Sequence, residues 1–196
     1  MLLFENFVKE NKSDFTYKVS FICSKLGINP NWLMAIMFHE SGLNHRIVNS
    51  VGATGLIQFM PSTMKSLNTN SVALKSMSNV QQLDYVYSYF KPYSGKMKNI
   101  FDVFMVTFFP LAIGKPDTWV FETSRLSRSI IAQQNSAFDL NKDGKITIGE
   151  WKQYLLKWFN RQKVDTSLIE KAENIGTKVI TFSALFFCAD IFMKTI

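Results

Sequence analysis

Residues 40–63 read ESGLNHRIVNSVGATGLIQFMPST, and their punctuation limits what can surround them. A carboxylate stands at the end of an apolar segment, Gly52 and Gly55 interrupt the chain, and Pro61 opens a new element. Upstream, Asn29 is a good N-cap, Pro30 suits the first helical position and Gly42 is a natural stop, so a helix is expected between them. Trp32, Ile36 and Glu40 recur every four residues and share one face, with Leu33 and Met37 beside it. Glu40 therefore continues a stripe that must otherwise be buried. Lost hydration and the negative end of the helix dipole both favour its protonated form. Such an acid can donate its proton to a glycosidic oxygen. The plainer alternative is a glutamate at a helix end pointing into water. Against it stand two glycines that let backbone approach a ligand closely and Gln58, whose amide can read hydroxyl or acetamido groups.

The pattern E-S-G-x-N, then G-A-x-G-L-x-Q-x-M-P-x-T, is carried by Glu40, Ser41, Gly42, Asn44, Gly52, Ala53, Gly55, Leu56, Gln58, Met60, Pro61 and Thr63. It resembles the catalytic core of the lysozyme-like soluble lytic transglycosylases, with goose-type lysozymes as more distant relatives. The resemblance implies a mainly α, lysozyme-like helical domain acting on bacterial peptidoglycan, cut between N-acetylmuramic acid and N-acetylglucosamine. It further implies that Glu40 serves as general acid and then base, that Gln58 and Met60 line the cleft, and that a 1,6-anhydro product forms. No second carboxylate is required in that family, and residues 41–83 contain no Asp or Glu at all. A two-carboxylate glycosidase needs a nearby partner.

The wider substrate-binding set expected from this reading is Ser41, Asn49, Ser50, Gly55, Gln58, Met60, Tyr85, Tyr89 and Phe109. Asn49 stands where the family usually has a serine, with Ser50 one step later. The family's third motif, commonly alanine-tyrosine-asparagine, has its best counterpart at Phe108, Phe109 and Pro110, which lack the phenol and the amide. A hydrolytic muramidase, or a module that grips glycan without cutting it, are the alternatives this leaves open. Tyr85 and Tyr89 share a helix face; half-buried packing is the plain account and sugar stacking the functional one. Tyr93, Trp119 and Phe121 are further candidate cleft aromatics.

The second motif is DLNKDGKITIGE at residues 139–150. Asp139, Asn141 and Asp143 offer side-chain oxygens at loop positions one, three and five, Gly144 the sharp turn, Lys145 its carbonyl, and Glu150 a bidentate carboxylate at twelve. This resembles an EF-hand calcium loop. With a single loop present, a structural Ca2+ is expected rather than a sensor, pinning the following helix over residues 148–159. His39 and His45 invite a zinc reading, but they are six apart, not four, with Gly42 between.

The organisation expected is a catalytic domain over 1–138, the calcium loop and its helix over 139–165, and a helical segment over 166–196. A short helix over 16–26, ended by Gly27, a polar connection over 68–78 and a buried helix over 100–109 complete the outline. The balance of 22 Lys plus Arg against 15 Asp plus Glu, a net +7, suits an anionic polymer. The basic residues are scattered without an arginine cluster among aromatics, so no nucleic-acid partner is expected. Cys23 and Cys188 lie in apolar surroundings and are expected as buried thiols. Residues 1–12 contain Glu5 and no long apolar core, so they read as the start of a packed helix rather than a secretory signal. The apolar run at 179–189 is too short to span a bilayer, so no integral membrane segment is expected. These features together suggest a phage product, made in the host cytoplasm as a monomer and acting on cell-wall peptidoglycan, as an endolysin or a virion component.

Overall fold

The computed structural model describes residues 1–165, which form two compact units, Met1–Ile113 and a second beginning at Gly114. The boundary falls in the Gly114–Pro116–Asp117 loop, so residues 114–138, expected with the catalytic domain, belong to the second unit. The expected helical segment over 166–196, its apolar run at 179–189 and Cys188 lie outside the described residues. Among the described residues there are helices and no strands, only three isolated β-bridges.

The first unit contains α1 (Lys12–Leu26), α2 (Pro30–Ser41), α3 (Pro61–Ser66), α4 (Ser71–Ser76), α5 (Asn79–Phe90) and α6 (Ile100–Phe108). α1 begins four residues earlier than the expected helix and ends as expected at Gly27 in the left-handed region. Its stripe Phe15, Val19, Ile22, Cys23 and Leu26 is buried, and α1 packs on α2 and α5. Ahead of it the chain makes a single 3-10 turn, Glu5–Phe7, rather than the start of a helix. That turn still packs, since Phe4 stacks on Phe38 with ring centroids 4.0 Å apart.

α2 is capped as its sequence requires. The Asn29 side chain accepts from the Asn31 N–H, Pro30 takes the first turn, and Gly42 ends the helix at φ 59°. Residues from Trp32 to Met37 are buried on every side, so α2 is the central helix of this unit. α6 is the second apolar helix, packed on α2 and started by a capping box of Asn99 and Asp102. Residues 68–78, expected as a plain connection, contain α4, because the Asn70 side chain accepts from Ala73 N–H and nucleates a turn.

The second unit contains α7 (Arg128–Gln134) and α8 (Ile148–Arg161) around the loop at 139–150. Trp151, Leu155 and Phe159 form the buried stripe of α8, while Trp158 is half-buried. Phe121, expected at a cleft wall, is fully buried in this unit with its ring edge-on to Trp119.

Candidate functional site

Glu40 occupies the last turn of α2 and is 8% exposed, with both carboxylate oxygens buried. The helix stripe argument thus holds, and the solvent-facing alternative does not.

The other carboxylates of the first unit are engaged elsewhere or exposed. Glu10 lies 2.9 Å from Arg46 and 3.2 Å from His45, Asp84 pairs with Lys18 at 2.7 Å, and Asp102 caps α6. Glu5 accepts from the Leu2 N–H and faces Lys12, and Asp14 is exposed in the first turn of α1. Glu40 is the buried carboxylate among them.

The loop after α2 folds back on itself as a tight hairpin-like turn. Thr54 bridges to both Val48 and Phe59, with N–H to carbonyl distances of 3.0 and 2.8 Å between Thr54 and Phe59. Asn49 builds the turn: its Oδ1 accepts from the Val51 and Ala53 N–H groups at 3.0 and 2.9 Å. Asn49 therefore acts first as a backbone organiser, whereas Ser50 beside it is exposed. Ser41, buried next to Glu40, donates its hydroxyl to the carbonyls of Met37 and Leu56, each at 2.9 Å. It ties the loop to α2.

Gln58 is 4% exposed and adopts φ 49°, a left-handed conformation uncommon for a glutamine. Its Nε2 donates to the Gly55 carbonyl at 3.1 Å, which turns part of the amide inward to the loop. Met60 is half-buried and precedes Pro61 at the start of α3. Gly55 sits at φ 81°, and a Cβ there would fall 2.4 Å from Gln82 Oε1. The close approach that demands glycine is thus to the protein's own amide. Gln82 is a residue the sequence did not reveal, since nothing in its spacing on α5 separates it from an ordinary polar position.

Tyr89 comes from α5, with its ring edge-on to Phe59 in the loop and its hydroxyl donating to the Val106 carbonyl of α6 at 3.0 Å. Burial, then Tyr93 and Glu40, hold its phenol well above the ordinary tyrosine range. Tyr85 is half-buried one turn earlier. Phe109, expected to bind substrate, is 1% exposed and is a core ring at the end of α6, so it offers no open face to a sugar. A cavity of about 650 Å³ flanks the loop, lined by Gly52, Pro61, Met64, Lys65 and the 68–71 connection.

The two histidines do not form a metal pair. His39 packs edge-on to Phe104, and His45 faces Glu10. Among the described residues no group of three or more His, Cys, Asp or Glu side chains is gathered as a metal cluster.

In the second unit the loop at 139–150 is closed by its own side chains. Asp139 accepts from the N–H groups of Asp143 and Gly144 at 3.1 and 3.0 Å, and Asn141 Oδ1 from Asp143 N–H at 2.9 Å. Asp143 accepts from Lys145 N–H at 3.2 Å. Glu150 reaches back to Asn141 N–H at 3.4 Å and Thr147 N–H at 2.9 Å, in a capping box that starts α8. Gly144 makes the turn at φ 80°. The extended centre of the loop pairs with residues 117–121: Phe121 N–H donates to Ile146 O and Ile148 N–H to Trp119 O, each at 3.0 Å.

Residues 20–92 match the family model described as Transglycosylase SLT domain. That family comprises peptidoglycan lytic transglycosylases, and the chain is consistent with an enzyme of that kind. The matched segment runs from α1 through α5 and contains Glu40, the loop after it and Tyr89. The mainly helical architecture agrees with a lysozyme-like domain. No solved structure matches the chain. Among the described residues no helix is long and apolar enough to cross a membrane.

Proposed function

We propose that the protein cleaves the β-1,4 bond between N-acetylmuramic acid and N-acetylglucosamine with Glu40 as its single acid and base, releasing 1,6-anhydro ends. The observation that carries this is the burial of Glu40 at the end of α2, in a unit whose other carboxylates are paired, capping or exposed. A protonated Glu40 gives its proton to the glycosidic oxygen as the bond to the muramyl anomeric carbon breaks. The muramyl 6-hydroxyl then bonds to that carbon and returns its proton to the carboxylate, so no water is consumed. A mechanism with a second carboxylate needs a partner about 5–10 Å away, and the pairing of Glu10, Asp84 and Asp102 supports its absence.

Gln58 and Met60 on the loop, with Tyr85 and Tyr89 on α5, are the groups proposed to meet the sugar. Ser41, Asn49 and Gly55 act through the loop they shape, and Ser50 is the exposed hydroxyl on it. Tyr89, edge-on to Phe59 of the loop, is the phenol proposed to stand in for the one that Phe108, Phe109 and Pro110 lack. Mass spectrometry of fragments released from purified sacculi tests the proposal, with Glu40→Gln as control. Products one water lighter, with anhydro-muramic ends, are expected from the wild type and none from the variant. Ordinary reducing ends would make it a muramidase on the same scaffold, and no fragments would make it a glycan-binding module.

The loop at 139–150 would hold a structural Ca2+ through Asp139, Asn141, Asp143, the Lys145 carbonyl and Glu150. This reading is supported by the spacing of oxygen donors along one loop; their carboxylates accept from the loop's own N–H groups and would have to converge on the ion, since among the described residues they are not gathered as a cluster. Calcium there would secure α8 to the rest of the second unit. The phage setting, as endolysin or virion component acting from within or outside the host, accords with a wall-cutting enzyme and is tested by lysis of host cells on expression with a holin.

A further inference from the structure

Gln82 is fully buried on α5, yet every hydrogen-bonding group of its amide is used on backbone from other parts of the first unit. Oε1 accepts from Leu56 N–H at 3.1 Å, and Nε2 donates to the carbonyls of His45 and Leu74 at 2.6 and 2.7 Å. The orientation of the amide follows from these partners, because the flipped form would set its NH2 against an N–H and its oxygen against two carbonyls. Three segments are therefore pinned at one point: the entry to the loop at His45, its far limb at Leu56, and α4.

Leu56 is held from its other side as well. Its carbonyl accepts from Ser41 Oγ, and Ser41 is the neighbour of Glu40 on α2. A continuous path thus runs from the Gln82 amide through the Leu56 peptide to the residue beside the acid. The same contact explains Gly55, since a Cβ there would occupy the place of Gln82 Oε1. Thr54 and Ser71, hydroxyl to hydroxyl at 2.8 Å, tie α4 to the loop a second time.

We infer that Gln82 is a positioning residue, which sets the register of the loop at 45–59, and with it Gln58, against Glu40. The inference rests on the enzymatic reading above for its catalytic consequence, but its structural half stands alone. No carbon chain of similar size can do this work, because the Leu56 N–H and the His45 carbonyl would lose this partner together, and the Leu74 carbonyl would keep only the Met77 N–H.

The test uses the full chain with Gln82→Met and Gln82→Glu, assayed well below each variant's melting temperature. With Gln82→Met, kcat on purified sacculi falls roughly tenfold or more while half-saturation moves less than about threefold, as expected when alignment and not binding is lost. With Gln82→Glu, the ratio of its activity to that of the wild type rises as pH falls, because a protonated carboxyl restores one donor to the two carbonyls. Amide hydrogen exchange gives the readout that needs no substrate: the Leu56 and Phe59 amides lose protection in Gln82→Met while those of α1 keep theirs. If the wild type does not cut sacculi but this exchange pattern appears, the enzymatic reading falls and the strap stands. Wild-type protection of Leu56, or a lowered melt with kcat unchanged below it, overturns the inference.

Discussion

The loop after α2 and the loop before α8 are both irregular, glycine-turned and polar, and both make backbone bonds to distant segments, but they differ in where the side chains that hold them come from. The loop at 139–150 is closed by side chains from within itself, none more than nine residues from its partner. The loop at 43–60 also has local turns, but its placement depends on Gln82 and Ser41, at separations of 26 and 15 from Leu56. A loop that must present fixed groups to a substrate gains rigidity from buried amides in the core. In the loop at 139–150 local backbone donors hold the side-chain oxygens, as a loop proposed to take a cation would need. The contrast teaches that similar glycine-bearing sequences can carry their shape either locally or by tertiary packing.

The largest expected effect lies at the acid. Glu40→Gln should lower the rate on sacculi by about 10²–10⁴-fold, the usual worth of a positioned general acid, while leaving the thermal melt close to that of the wild type. A comparable loss from Glu150→Gln in the other loop would blur the division of labour drawn here. Next, the two glycines separate the loops directly. Gly55→Ala combines a left-handed backbone with a clash on Gln82 and should cost roughly 2–5 kcal/mol by urea denaturation. Gly144→Ala meets open space and should cost only about 1–2 kcal/mol, the backbone term alone. Equal costs would mean that the Gln82 contact does not constrain the fold.

Calcium sharpens the comparison from the other side. At a free calcium concentration a hundredfold above Kd, binding should stabilise the second unit by about 2.7 kcal/mol, visible as a higher melting temperature that chelation reverses. Glu150→Gln should erase that response; a melt indifferent to calcium would remove the metal from the loop. Ser41→Ala removes one buried tie between α2 and Leu56 and should cost about 1 kcal/mol, with a larger relative loss in kcat than in stability.

The smallest effect concerns pH. Burial and then Arg46 depress the His45 imidazole below its ordinary 6.5, against the opposing pull of Glu10. The unfolded chain therefore binds the proton more readily than the folded one. Its contribution to stability is full above pH 6.5 and is lost as pH falls through the depressed folded value. A His45→Gln variant should show a flatter stability profile between pH 7 and 5 by urea denaturation, and an unchanged slope would assign the acid response elsewhere.

Several features needed only local chemistry to be legible. The cap at Asn29, the stop at Gly42, the buried stripe ending in Glu40, the apolar α6 and the α8 stripe all follow from spacing and from residues within a turn of one another. The turn in 139–150 is legible for the same reason, since its partners are its own neighbours. α4 is not legible in composition, because a single cap at Asn70 outweighs a polar stretch of six residues. The resemblance puts Phe109 at the site as the counterpart of a family motif, whereas packing turns its ring into the core.

By itself, then, the sequence determined the central helix, the buried carboxylate at its end, the turns that follow and the spacing of oxygen donors in the second loop, because each depends on residues close together in the chain. Only the tertiary structure decided that Glu10, Asp84 and Asp102 are occupied elsewhere, that Tyr89 sets its ring against Phe59 of the loop, and that Gln82 binds three separate backbone segments. An amide's partners at such distances are set by how helices pack. No periodicity in the chain records them.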